Sequence, residues 1–141
     1  MIVFDHVFKS FDGGRSHAVA DLCLEIATGE TLVLVGSSGC GKTTTLQMIN
    51  RLVIPSRGRI LVGGIPIEEH DLLALRRSMG YVIQKIGLLP HLTVEQNVTL
   101  VPRILGWPRV RRRSRAHEVL ELVGLEPDRF ASRRPGELSG G

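Results

Sequence analysis

The 141-residue chain has the size of one compact domain, and its 43% apolar and 23% charged residues give a globular balance that excludes intrinsic disorder. Eighteen Lys and Arg against 14 Asp and Glu leave a net charge of +4, which favours anionic partners without naming one. No apolar run reaches the ~18 residues of a membrane-spanning helix, and the start lacks a basic-then-apolar leader. Two cysteines, Cys23 and Cys40, with no C-x-x-C pair argue against a disulfide scaffold or a structural zinc site. A reduced, cytosolic chain is expected, so Asn97-Val98-Thr99 matches the glycosylation pattern without a compartment that uses it.

In chain order, Ile2 to Phe8 reads as a strand, Asp12-Gly13-Gly14 as a turn and Ala18 to Ile26 as a second, antiparallel strand. Thr31 to Val35 is a continuous aliphatic and β-branched run, the pattern of a strand covered on both faces. A helix follows from Lys42 to about Leu52, then a turn at Pro55–Gly58 and a short strand at Arg59 to Val62. Asp71 to Arg77 reads as a short helix and Gly80 to Ile83 as a buried strand ending at Gln84. Thr93-Val94-Glu95-Gln96 has the capping-box form and starts a helix that Pro102 should kink or end. Ala116, Val119, Leu120 and Val123 share one helical face, with Gly124 placed as the terminating glycine.

Between the aliphatic run and the first helix, Gly36 to Thr43 fits G-x-x-x-x-G-K-S/T without a mismatch. Glycines let such a loop fold around phosphate oxygens, with successive N–H groups pointing inward at the positive end of a helix. Lys42 supplies a charge for the β- and γ-phosphates, and the Thr43 hydroxyl suits Mg²⁺. Cys40 reads as a small residue at a variable position of the loop. The guanine motif N-K-x-D and the switch motif D-x-x-G do not occur, which argues against a GTPase.

The chain closes on Leu138-Ser139-Gly140-Gly141, an LSGG string. With the phosphate loop and Gln84 after a strand, the chain resembles the ATP-binding subunits of ABC transporters. The resemblance implies an α/β P-loop NTPase with a RecA-like core, an antiparallel β part over about residues 1–30 and the core over 31–86. A helical subdomain would span 87–134, and 135–141 would begin the signature motif. It places Gly36, Ser37, Ser38, Gly39, Cys40, Gly41, Lys42, Thr43 and Thr44 on the phosphates of ATP. Phe11 falls where the family stacks an aromatic on adenine, although a core position beside Phe8 is the alternative. Gln84 looks like the glutamine that reaches Mg²⁺ and the attacking water, or else a polar strand-end residue. Leu138, Ser139, Gly140 and Gly141 would act on ATP held by a second subunit, so two chains would sandwich two ATP molecules.

Ile49–Leu52, Gly80–Gln84 and Leu89–Thr93 look most like importers of quaternary-amine osmoprotectants such as glycine betaine, carnitine or choline. That implies membrane permease subunits, an indirect link to a substrate-binding protein, and a place on the cytoplasmic face of the membrane. A soluble ABC-family ATPase outside transport, or a nucleotide-binding fragment that does not hydrolyse ATP, are the rival readings. The Walker B Asp, the adjacent Glu and the later switch His of the family would all follow Gly141. The chain as given is therefore expected to bind ATP weakly and not to turn it over. Arg109, Arg111, Arg112, Arg113 and Arg115 read first as a solvated helix face, then as a contact for anionic lipid or a partner; nucleic acid is not expected. The five histidines show no metal-ligand spacing.

Overall fold

Strand β1 (Ile2–Lys9) pairs antiparallel with β2 (Val19–Ile26), as the first 26 residues predict. The computed structural model describes residues 1–83 and 87–138, in two units that divide between Gly80 and Tyr81. In the first unit, β3 (Arg57–Val62) and the two-residue β4 (Ile65–Pro66) extend the sheet in the order β2-β1-β3-β4, antiparallel throughout. Helix α1 (Lys42–Ile49) buries Met48 among Phe4, Val7, Val19, Ile60 and Ile67. Burying each of these larger side chains stabilises the unit by about 1.5–3 kcal/mol. The sheet therefore draws β3 and β4 from the span expected for the P-loop core.

Helix α1 stops at Ile49, about three residues before the expected end. Arg51 turns left-handed at φ 54°, and the carbonyls left open at the helix end find a donor from elsewhere. Helix α2 (Leu72–Ser78), capped by Asp71 through the Ala74 amide at 2.7 Å, supplies Arg76. Its guanidinium donates to the carbonyls of Asn50 at 3.1 Å and Arg51 at 2.9 Å, a cation where the helix dipole is negative.

Two expected strands do not form. Thr31–Val35 and Gly80–Ile83 join no ladder among the described residues, and Val33 and Val35 stand 73% and 89% exposed. A β-branched run becomes a strand only when a neighbouring strand takes its amides and carbonyls, and none of the described segments does so.

In the second unit, α3 (Val94–Val98) begins with the expected capping box: Thr93 Oγ1 accepts from the Gln96 amide, and Gln96 Oε1 accepts from the Thr93 amide. Pro102 interrupts the helix as expected: α3 ends at Val98, whose carbonyl is the one a residue-102 amide would bond. It lies inside α4 (Leu100–Ile104), in the first turn, where a missing N–H costs no intrahelical bond. The break falls at Thr99, whose hydroxyl also bonds back to the Glu95 carbonyl at 2.7 Å.

Helix α5 (Arg109–Leu122) buries Ala116 and Leu120, and Gly124 follows in the left-handed conformation at φ 74°. Val123, expected on the same buried face, is exposed, because the helix ends before that position completes the stripe. Leu120 packs with Val94 and with Ala131, which caps the short α6 (Pro127–Phe130). No helix among the described residues is long and apolar enough to cross a membrane.

Candidate phosphate-binding site

The loop from Gly36 enters α1 through Gly41, which caps the helix in a left-handed conformation, φ 94° and ψ −2°. A Cβ at Gly41 would run into the Ala18 carbonyl oxygen, so only glycine permits both the turn and the close approach of the β2 entrance. No side chain caps the start of α1, and no acidic residue lies in its first turn. The first amides of the helix have no intrahelical acceptor, and its positive end is not neutralised locally.

Lys42 Nζ donates to the carbonyl oxygens of Gly36 and Ser37, each at 2.7 Å, and lies 3.4 Å from Cys40 Sγ. The ammonium is thus folded over its own loop. Ala18, Val19, Leu34, Val35, Cys40, Lys42 and Thr45 line a concavity of about 260 Å³ there. An anion seated at the helix start itself would meet unbonded amides and the Lys42 ammonium, which would trade neutral carbonyls for charge-assisted bonds. Thr43 is exposed at the helix start, and its hydroxyl is the hard oxygen donor that Mg²⁺ takes, so the residue present fits that ion.

Phe11 is 68% exposed, which overturns the core alternative beside Phe8. Lys9 Nζ sits 4.8 Å from its ring centroid. The loop that presents it is organised by Asp12, whose carboxylate accepts from Ser10 Oγ at 2.8 Å and from the Ser16 amide and hydroxyl at 2.9 and 2.6 Å. The Ser16 hydroxyl, followed by the Ser16 amide and the Ser10 hydroxyl, holds the Asp12 carboxyl well below the usual carboxylate range.

Gln84, Ser139, Gly140 and Gly141 lie outside the described residues. Leu138 is described, and it packs against the Val94–Leu120–Ala131 cluster. Of the Arg-rich stretch, Arg111 stacks over the Trp107 ring at 3.8 Å, and Arg115 pairs with Glu118 at 2.9 Å. Both engagements are local to the helix.

One residue that matters was hidden in the sequence. Asn97, which reads only as part of a glycosylation pattern, donates through Nδ2 to the carbonyls of Leu89, Leu92 and Thr93, and its Oδ1 accepts from the Leu89 amide at 2.7 Å. It pins Leu89–Thr93 to α3. The only available signal was its position four residues after the helix cap.

A model of the ABC transporter family matches residues 19–141. The chain belongs to that family. Among ABC relatives, it is 51% identical over its whole length to the glycine betaine/carnitine/choline transport ATP-binding protein OpuCA of Bacillus subtilis. It is 48% identical to the osmoprotectant import ATP-binding protein OsmV of Salmonella typhimurium, again over the whole chain. It spans 37% and 38% of those two proteins. Among solved structures, the dimeric post-hydrolysis ATP-binding cassette MJ0796 bound to ADP and Pi matches 99% of this chain and 64% of its own, with TM-score 0.86 and 35% identity. These matches establish the α/β P-loop NTPase fold of an ABC cassette.

Proposed function

We propose that this ABC-family chain carries the ATP-binding loop of an importer for quaternary-amine osmoprotectants such as glycine betaine, carnitine or choline. The observation that carries the nucleotide reading is the Gly36–Lys42 loop, with an ammonium held over an uncapped helix start. The substrate class rests on the likeness to osmoprotectant import proteins over the whole chain.

In this reading, Gly36 through Thr44 surround the phosphates, and Phe11, displayed on the Asp12 loop, stacks on adenine. Thr43 and Gln84 would hold Mg²⁺, which would supply positive charge to offset that of the phosphates. Leu138 to Gly141 act on ATP bound to a second copy, and the segment after Gln84 faces membrane permease subunits fed by a substrate-binding protein. The protein then works on the cytoplasmic face of the membrane.

Titration with a fluorescent ATP analogue tests the nucleotide reading. Saturable binding that weakens about tenfold or more in Lys42→Ala is expected, since a charge-assisted contact of ~1.5–3 kcal/mol is removed. Equal affinity in the variant would contradict it. In an ATP-binding subunit that carries this chain together with the family's Walker B and switch residues, loss of glycine betaine uptake through the permease on Lys42→Ala tests the transport reading.

A further inference from the structure

The antiparallel sheet carries a second cluster of ligating groups, on residues that the nucleotide reading does not use. His6 Nδ1 lies 2.7 Å from Asp21 Oδ1 and 3.5 Å from Cys23 Sγ, and all three donor atoms fall within 4.8 Å of one another. The sequence shows no metal spacing because these residues come from two strands and are 15 and 17 positions apart.

Their convergence is produced by two bulges. From Phe4 to Val7, β1 advances three residues while β2 advances two, from Leu24 to Leu22. From Val7 to Lys9 the count reverses, two residues on β1 against three on β2, from Leu22 to Val19. His6 lies in the first bulge and Asp21 in the second, and both are non-glycine residues in the left-handed region, at φ 48° and 47°. On the other flank of β1, Gly58 yields space: a Cβ there would strike the His6 carbonyl oxygen. The irregular backbone is thus accommodated from both sides, and it aims an imidazole and a carboxylate at the same thiol.

We propose that His6, Asp21 and Cys23 form a binding site for a borderline-soft divalent cation, with Zn²⁺ as the best match. One nitrogen, one oxygen and one sulfur donor make a three-ligand set that leaves the fourth tetrahedral position to water. All three side chains are exposed, so that water has access. With Zn–N near 2.0 Å and Zn–S near 2.3 Å, the tetrahedral N···S edge is about 3.5 Å, the separation already present. The N···O edge must open from 2.7 Å to about 3.3 Å, exchanging the His6–Asp21 hydrogen bond for two metal bonds. Binding releases the Cys23 thiol proton to solvent and takes His6 as the neutral tautomer protonated at Nε2. Thiolate and carboxylate then balance the dication.

Titrating the nucleotide-free chain with Co²⁺ tests the site. We expect one equivalent to bind with a sulfur-to-cobalt charge-transfer band that Zn²⁺ abolishes by displacement. Cys23→Ser should remove the band, His6→Gln and Asp21→Asn should weaken binding tenfold or more, and Cys40→Ser should leave it unchanged. Absence of the band, its survival in Cys23→Ser, or unaltered affinity in His6→Gln or Asp21→Asn would overturn the proposal. Imidazole NMR of the unsubstituted chain gives a readout independent of any variant's folding. His6 resonances that move with one equivalent of Zn²⁺ support the site, and unmoved resonances overturn it.

Discussion

Lys42 Nζ reaches back across six residues to the Gly36 carbonyl oxygen at 2.7 Å, closing the loop on itself with the same cation that a phosphate would claim. The resting contacts are with neutral acceptors, and an anion offers stronger ones. The ammonium works as a compact point charge in a narrow turn. Lys42→Arg therefore keeps the charge but places a planar fork where two convergent carbonyls now accept. We predict that its affinity for a fluorescent ATP analogue falls about tenfold or more, a loss of ~1.4 kcal/mol or greater.

Gly41 and Gly39 both adopt positive φ, at 94° and 82°, but only Gly41 lacks room. Gly39→Ala meets open space and should cost about 1 kcal/mol of conformational strain. Gly41→Ala adds a collision with the Ala18 backbone and should cost at least ~2 kcal/mol more. Urea unfolding of the two variants side by side measures the difference, and equal stabilities would refute the role of the β2 entrance.

Asn97 holds four backbone groups of Leu89, Leu92 and Thr93 with one side chain. Asn97→Ala should destabilise the second unit by about 1–3 kcal/mol and speed amide exchange at Leu89. Asn97→Asp keeps the acceptor but loses the Nδ2 donors, facing carboxylate oxygens towards three carbonyls. Its stability should fall further at neutral pH than at acid pH, as read by thermal unfolding.

Much of this architecture could be read locally. The Thr93–Gln96 capping box, the Asp71 helix start and the Gly124 stop each depend on contacts within a few residues, and each appears as expected. The turn at Gly41 into a helix starting at Lys42 is legible for the same reason. Thr31–Val35 was not, because its strand character depends on a distant neighbour that five residues cannot specify. Pro102 is legible too, because the bond it cannot make to the Val98 carbonyl is local, and the helix breaks beside it at Thr99. The His6–Asp21–Cys23 cluster is not legible in the sequence, because a bulge changes which face a residue occupies and spacing alone carries no record of it.

The Asp12 carboxyl supplies the pH dependence. Its folded pKa lies below the unfolded value near 3.9, so its contribution is complete above that pH and is lost as acid titrates the carboxylate in the folded state. Carbon-13 NMR should show Asp12 still ionised at a pH where ordinary exposed carboxyls are half protonated. In Ser16→Ala, which removes the largest cause, the titration should move back towards the ordinary range. A wild-type Asp12 titrating with the other carboxyls would contradict this.

Cys40 offers the most direct test of the phosphate loop, because its exposed thiol lies 3.4 Å from Lys42 Nζ. Alkylation of the chain by a maleimide, followed by mass spectrometry, gives separate rates for Cys40 and for Cys23, the exposed reference thiol. Mg-ATP should slow labelling of Cys40 at least tenfold, leave Cys23 unchanged, and lose this protection in Lys42→Ala. Cys40 labelling at the same rate with and without saturating Mg-ATP would contradict the account.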